Sequence, residues 1–204
     1  DRIRSRGLGD VYKRQQFGEI EINPLSRIRK KGAEHLHRAW LNLPMVTNHD
    51  EADITELEAF RQKLKKEAAE QNIRLTMLAF LLKATAANLK KHPDFCSSLS
   101  PDGQNLIHKR YCHIGVAVDT EEGLVVPVIR DVDKKGVFEL AQNLGDVSEK
   151  ARSRKLKRED LQGGCFSISS LGGIGGTAFT PLVNAPEVAI LGVTRSKMTP
   201  QWNG

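Results

Sequence analysis

The hydrophobic and polar positions along the chain change period several times, and each change marks an element. Over residues 17–23 apolar and polar residues alternate, the two-residue period of an extended chain, until Pro24 interrupts the run. The spacing then predicts a helix from 26 to about 40, closed by the Leu43-Pro44 break, because a residue that precedes proline is pushed out of the helical region. Residues 45–53 read as an edge or half-buried strand that runs into a second helix. At its start Asp53 and Glu56 have the spacing of a capping box, in which each side chain satisfies an orphan backbone N–H.

Leu57, Phe60, Leu64 and Ala68 fall on one stripe of that helix with Glu and Lys opposite, the pattern of a surface helix covering a sheet. Residues 76–91 are apolar almost all round through Met77-Leu78-Ala79-Phe80-Leu81-Leu82, which predicts a more deeply buried helix ended by His92-Pro93. Pro101-Asp102-Gly103 is a turn, since Pro presets the first turn angle and Gly accepts a positive one. Residues 112–119 and 124–131 are β-branched runs joined by Glu121-Glu122-Gly123, an antiparallel hairpin. Leu140, Leu144, Val147 and Ala151 mark another amphipathic helix, and after a basic loop two further strands, 165–170 and 188–195, flank a Gly-rich bend. The order has neither regular βαβ alternation nor an internal repeat. It predicts an α/β chain of the α+β kind, a two-layer sandwich in which helices pack on one mixed sheet, in preference to a doubly wound fold.

Composition narrows this picture. At 204 residues the chain can build one sizeable core, and a single domain is the simplest reading. With 39% apolar and 27% charged residues it has an ordinary globular balance, and no window reaches the unbroken apolar length of a membrane span. Cys96, Cys112 and Cys165 are far apart, odd in number and without CxxC spacing, so neither a disulfide framework nor a zinc site is indicated and a reducing cytosol fits. A net charge of +6 would suit nucleic acid, but the excess sits in stretches such as 27–31 and 150–158, and only 5% of residues are aromatic and able to stack on bases. Nucleic acid is therefore not an expected partner. Residues 1–15 are basic and broken by glycine, lack the apolar segment of a secretory signal, and carry aspartates that suit a transit peptide poorly. They are expected to be a non-native or disordered leader before one catalytic domain at 16–204.

The stretch GGCFSISSLGGIGG, residues 163–176, first suggests a phosphate cradle, but no Lys-Ser/Thr follows and Pro181 breaks the helix that a dinucleotide fingerprint needs. Period two puts Cys165, Ser167 and Ser169 on one strand face and Phe166 and Ile168 on the other. If the aromatic face meets the core, the hydroxyls face a cleft; otherwise both serines are ordinary solvent-side residues. Neither lies in a GxSxG elbow, and spacing alone does not name an activity.

The run QGGCFSISSLGGIGGTAFTPLVNAPEVAILGV, from Gln162 through Val193, resembles the catalytic domain of the dihydrolipoamide acyltransferases, the core subunits of the 2-oxo acid dehydrogenase complexes. It is most similar to the acetyl-transferring branch of bacterial pyruvate dehydrogenase complexes. LSRIRKKGAEHLHRAW, PMVTNHDEADITELEAFR, HPDFCSSLSPDGQNL and HIGVAVDTEEGLVVPVIRDVDKKG agree with it, in unbroken order from about 17 to 204. The resemblance implies a chloramphenicol acetyltransferase-like fold, a homotrimer with each active site in a channel between neighbours, and trimers that assemble into a larger core. It implies transfer of an acetyl group between dihydrolipoamide, carried on a separate lipoyl domain, and coenzyme A. The implied setting is the bacterial cytoplasm, beside pyruvate dehydrogenase and dihydrolipoamide dehydrogenase subunits, with no metal in this domain and no membrane partner.

Residue roles come with the resemblance. In the family a serine of the Gly-rich strand hydrogen-bonds the tetrahedral oxyanion; it matches Ser169, which would then be a stabiliser and not a nucleophile. A histidine in an HxxxDG motif near the C-terminus acts as general base. That motif is absent here, so the base and its aspartate are expected beyond Gly204, and the 204-residue polypeptide assayed alone is expected to be nearly inactive. Arg29 matches an arginine that pairs with that aspartate, or else is a solvated member of a basic run. His49 and Asp53 have HxxxD spacing without the glycine and in the wrong part of the chain, so His49 is read as a partly exposed strand residue. Cys165 is read as a small packed residue and not as an acyl carrier. Other readings are a non-catalytic scaffold on the same fold, a succinyl- or branched-chain-transferring relative, and a small-molecule acyltransferase of the chloramphenicol type.

Overall fold

The computed structural model describes residues 14–200 and residue 202. The expected leader therefore lies outside the described residues, except that Arg14 and Gln15 open a single 3-10 turn, Arg14–Phe17. Helix α1, Arg27–Asn42, starts where its spacing says it should. Ser26 is extended and its hydroxyl oxygen accepts the Arg29 N–H at 3.1 Å, satisfying one of the four donors that a helix start leaves unpaired. The same hydroxyl donates to the Glu122 carbonyl at 2.5 Å, pinning the helix start to a turn almost a hundred residues away.

Helix α2, Thr55–Glu70, departs from expectation at its start. Ile54 is the N-cap and makes no side-chain cap bond; Asp53 lies one residue too early for a capping box and accepts the Thr55 N–H at 2.9 Å instead. Leu57 and Leu64 are half-buried and Ala68 is buried, whereas Phe60 is exposed on one side and sets its ring edge-on against Phe80, with centroids 6.2 Å apart. Helix α3, Met77–Lys91, buries Ala79, Phe80, Leu82, Ala86 and Leu89, and packs beside helix α4, Val137–Arg152, whose inward face carries Leu140, Ala141 and Leu144.

Eight short strands complete the chain: β1 Ser97–Leu99, β2 Leu106–His108, β3 Ile114–Val116, β4 Val118–Thr120, β5 Gly123–Val125, β6 Val128–Ile129, β7 Phe166–Ser170 and β8 Ile190–Val193. The main sheet has the order β6-β3-β7-β8, with β3 antiparallel to β6 and β7 parallel to both neighbours. It is the mixed sheet the element order predicts, with helices packed on it. Two separate hairpins, β1–β2 and β4–β5, stand beside it.

The hairpin expected over 112–131 forms but divides into two ladders. Pro127 has no N–H to donate, so the pairing can use only its carbonyl, which accepts from Val116 at 2.9 Å, while Ala117 turns to donate to Ile168 at 3.0 Å. The lower half, β3 and β6, thus enters the main sheet, and the upper half, β4 and β5, leans on α1. Residues 45–53, expected as a strand, are irregular and mostly exposed, with Val46 87% exposed. Among the described residues, 17–23 likewise enter no strand pairing. An extended run needs a neighbouring strand for its N–H and C=O groups, and among the described residues neither run has one.

Candidate active site

Strand β7 is paired on its β3 side only over its first three residues, where Ile114, Gly115 and Val116 face Phe166, Ser167 and Ile168, and on its β8 side from Ser167 to Ser170. Ala117 then leads the chain away into the β4–β5 hairpin, so Ser169 and Ser170 keep only β8, in register with Gly192 and Val193. The carboxyl end of the central parallel strands is therefore open on one side at Ser169. That is where open α/β sheets form ligand crevices.

The burial of β7 fits neither alternative for both serines together and separates the two residues instead. Cys165, Phe166, Ser167 and Ile168 are all buried, so both faces of the strand are covered, and Ser167 is only 1% exposed. Ser169 and Ser170 alone are half-buried. The cover on the serine face is the segment returning to β8. A Cβ added to Gly192 would lie 3.0 Å from Phe179 Cζ and 3.1 Å from Pro181 Cγ, so the glycine makes room for this apolar wall. Paired residues on adjacent strands point to one face, which sets the Ser169 side chain on the side walled by Phe179 and Pro181.

Two residues deeper, Ser167 lies over Gly115, where an added Cβ would come within 2.8 Å of both Ser167 Oγ and Val126 Cγ1. Only glycine lets β3 approach so closely. Beside it is Glu187, a carboxylate only 4% exposed that accepts from Asn184 Nδ2 at 3.2 Å, and Asn184 in turn contacts His35 of α1 at 3.1 Å. Ser167 Oγ and the second carboxylate oxygen of Glu187 are buried without a completed hydrogen bond. Burial raises the Glu187 pKa above its ordinary value, and the nearby Ser167 hydroxyl and Asn184 amide only partly oppose it.

A raised carboxylate pKa means that the folded state holds the proton more tightly than the unfolded one. Stability then falls as pH climbs from the ordinary value of 4.5 through the higher folded one. Glu187→Gln removes this titration, so the variant should gain in thermal midpoint relative to the parent as pH rises from about 4.5 to 8. Melting curves across that range test it; parallel pH dependences for the two proteins would show that Glu187 carries no buried charge.

The other sequence candidates lie elsewhere. The Arg29 guanidinium donates to the Glu121 carbonyl at 3.2 Å on the β4–β5 turn, and no hydrogen bond joins it to Ser169 among the described residues. His49 is exposed in irregular chain, not in a strand, and Asp53 is engaged by Thr55. Cys165 is fully buried, as a packed residue should be. Sequence reasoning missed Glu187. Its one signal was a carboxylate opening an otherwise apolar run, in NAPEVAIL. No three metal-ligating side chains converge among the described residues, and no helix there is long and apolar enough to cross a membrane.

Comparison with known proteins bears on this geometry. Residues 17–204 match the family described as 2-oxoacid dehydrogenases acyltransferase (catalytic domain). The dihydrolipoyllysine-residue acetyltransferase component of the pyruvate dehydrogenase complex of Cupriavidus necator is 59% identical over 93% of this chain and 34% of its own length. The chain thus spans about a third of the length of such curated relatives. Among solved structures, the Azotobacter vinelandii dihydrolipoamide acetyltransferase, whose catalytic mechanism has been investigated at a serine, a histidine and an asparagine, superposes with a TM-score of 0.91 at 58% identity. It covers 92% of this chain and 77% of that one. The cubic core of the pyruvate dehydrogenase multienzyme complex matches equally well, with a TM-score of 0.91, 58% identity and the same 92% and 77% coverage.

Proposed function

Because this chain belongs to the 2-oxoacid dehydrogenase acyltransferase family and shares the chloramphenicol acetyltransferase-like fold of its solved catalytic cores, we propose that it moves an acetyl group between dihydrolipoamide and coenzyme A. The observation that carries this reading is the position of Ser169, half-buried at the open carboxyl end of the sheet beside an apolar wall. A thiol attacking a thioester turns the carbonyl carbon tetrahedral and its oxygen negative. A hydroxyl held by a strand packed on both faces can meet that charge without reorganising. The general base, a histidine that the resemblance sets beyond Gly204, removes the proton from the attacking thiol and returns it to the departing one as the tetrahedral state collapses and its original C–S bond breaks. Arg29, whose guanidinium also meets the Glu121 carbonyl at 3.2 Å, pairs with the aspartate of that histidine motif and holds the site in shape, as the resemblance implies.

The lipoyl group arrives on a separate domain, and coenzyme A is a substrate and not a resident cofactor. Residues 16–204 act as one catalytic unit. Three copies surround each set of sites, and trimers build the core of a bacterial cytoplasmic pyruvate dehydrogenase complex; the similar solved structure is the cubic core of such a multienzyme complex. Exposed apolar side chains such as Trp40, Leu41, Val46 and Ile174 supply surface that such assembly would cover.

The test is acetyl transfer from acetyl-coenzyme A to dihydrolipoamide by the assembled enzyme, beside succinyl and branched-chain donors and chloramphenicol as acceptor. Acetyl should lead by about tenfold or more, the discrimination that one or two methylenes allow. A better rate with another acyl group or with chloramphenicol would reassign the substrate. No transfer with any pair would make the chain a scaffold.

A further inference from the structure

Glu187 is the one carboxylate buried among the described residues, at 4% exposure, and it interrupts the otherwise apolar approach to β8. Its bonds run back to a single residue: its N–H donates to the Asn184 carbonyl at 3.1 Å, and its Oε1 accepts from Asn184 Nδ2 at 3.2 Å. Its other oxygen has no hydrogen-bond partner. An apolar side chain would fill this space at a lower desolvation cost, so stability alone does not account for the carboxyl group.

Its place in the sheet suggests what does. A Cβ added to Gly164, two residues before β7, would come within 2.9 Å of Glu187 Oε1, so the missing side chain lets the carboxyl group seat against the entry of that strand. Three residues after Glu187, Ile190 opens β8 and pairs with Ser167. The same short segment is tied outward as well. Ser98 of β1 donates its hydroxyl to the Pro186 carbonyl at 2.5 Å, the Lys109 ammonium donates to Ser98 Oγ at 2.6 Å, and Asn184 Oδ1 meets His35 Nε2 of α1 at 3.1 Å. At the far end of the ladder Ser169 has β8 alone for a neighbour, opposite Gly192, and the Leu171 N–H closes the pairing on the Val193 carbonyl at 2.8 Å. Where a strand has one partner, the direction of its side chains follows that partner.

We propose that Glu187 is a positioning residue for Ser169: seated against Gly164 and holding Asn184, its carboxyl group locks the entry of β8 to the entry of β7 and so aims the Ser169 hydroxyl at the tetrahedral oxyanion. The Ser167 hydroxyl, buried without a completed bond, is no part of this clamp. Burial holds the Glu187 pKa above its ordinary value, which suits a carboxyl group used for its shape and its acceptor oxygen and not for its charge. Glutamine has the same shape and the same acceptor for Asn184. The clamp is a property of the fold, and its effect on rate rests on the proposed function.

The experiment is a double-mutant cycle in the full-length assembled enzyme, read by steady-state kinetics and by amide hydrogen exchange. Glu187→Ala should lower kcat by about ten- to a hundred-fold, the cost of a misplacement of about 1 Å, with KM moved by no more than a few-fold. Glu187→Gln should restore most of that loss. On a Ser169→Ala background the same Glu187→Ala change should cost less than about threefold, because no hydroxyl remains to be aimed. The Leu171 amide should exchange about tenfold faster in Glu187→Ala, while the Val116 amide, which donates to Pro127 across the other side of the sheet, keeps its rate. An equal loss of kcat on both backgrounds overturns the proposal, as does a loss that glutamine fails to restore or a Leu171 amide that exchanges at the parent rate. Asn184→Ala removes the same side-chain bond and carries the cycle should Glu187→Ala fail to assemble. A freed Leu171 amide in an enzyme whose parent transfers no acetyl group would fault the proposed reaction and leave the clamp standing.

Discussion

Ser169→Ala is expected to lower kcat for acetyl transfer by about a hundred- to a thousand-fold while moving KM for either substrate by no more than a few-fold. The reasoning is that the hydroxyl meets a charge that exists only in the transition state. A thioester in its ground state offers a weak acceptor, so binding loses little when the donor goes. Truncation should also be gentle to the fold, since the Ser169 hydroxyl is half-buried and no hydrogen bond from it to the chain would be left broken among the described residues. Ser167→Ala provides the contrast. It lies two residues earlier on the same face but is sealed beside Glu187, away from the open end, so kcat should stay within a few-fold of the parent. Steady-state kinetics in both substrates, with unfolding midpoints as a check on structure, decide the issue; an unchanged kcat for Ser169→Ala would remove that residue from the mechanism.

The second large effect is on stability. Ile168 is 0% exposed, at the centre of the central strand and facing away from the serines, and Ile168→Ala should cost about 2–5 kcal/mol, the transfer energy of the lost methyls plus the cavity they leave. Urea unfolding at fixed protomer concentration would register this as a lower midpoint with an unchanged slope. A loss under about 1 kcal/mol would mean that the core collapses around the gap. The site and the core are linked here, because the rigidity that lets Ser169 act as a preorganised donor comes from Ile168 and Phe166 packing beneath it. The same variant should therefore also lose some transfer rate below its melting range.

The helices were the legible part of this chain. Ser26 caps the start of α1 at the position where the helix was expected to begin, and Leu140, Leu144 and Ala151 do face the core from α4. Helix bonds run between residues four apart, so the pattern needed to form them is contained in the same short window of sequence. The strands over 17–23 and 45–53 were misread for the complementary reason: alternation shows that a segment could line a sheet, not that a partner is there to receive it. Asp53 shows the limit on a smaller scale, since a helix that begins one residue later than its spacing suggests turns a capping box into a single bond.

What the amino-acid sequence determined by itself was local or cumulative: four helix positions, the turns at Pro101-Asp102-Gly103 and Glu121-Glu122-Gly123, a mixed α+β order, and a family resemblance dense enough to single out one serine among many. Only the tertiary structure decided that β3, β7 and β8 lie parallel, that Ser167 is sealed while Ser169 is open, that Glu187 is buried beside Ser167, that the Arg29 guanidinium meets the Glu121 carbonyl, and that all three cysteines are buried. Each of those facts depends on pairing between segments tens of residues apart, whose entropic cost is met only when the whole sheet assembles, and no short window of sequence contains that balance.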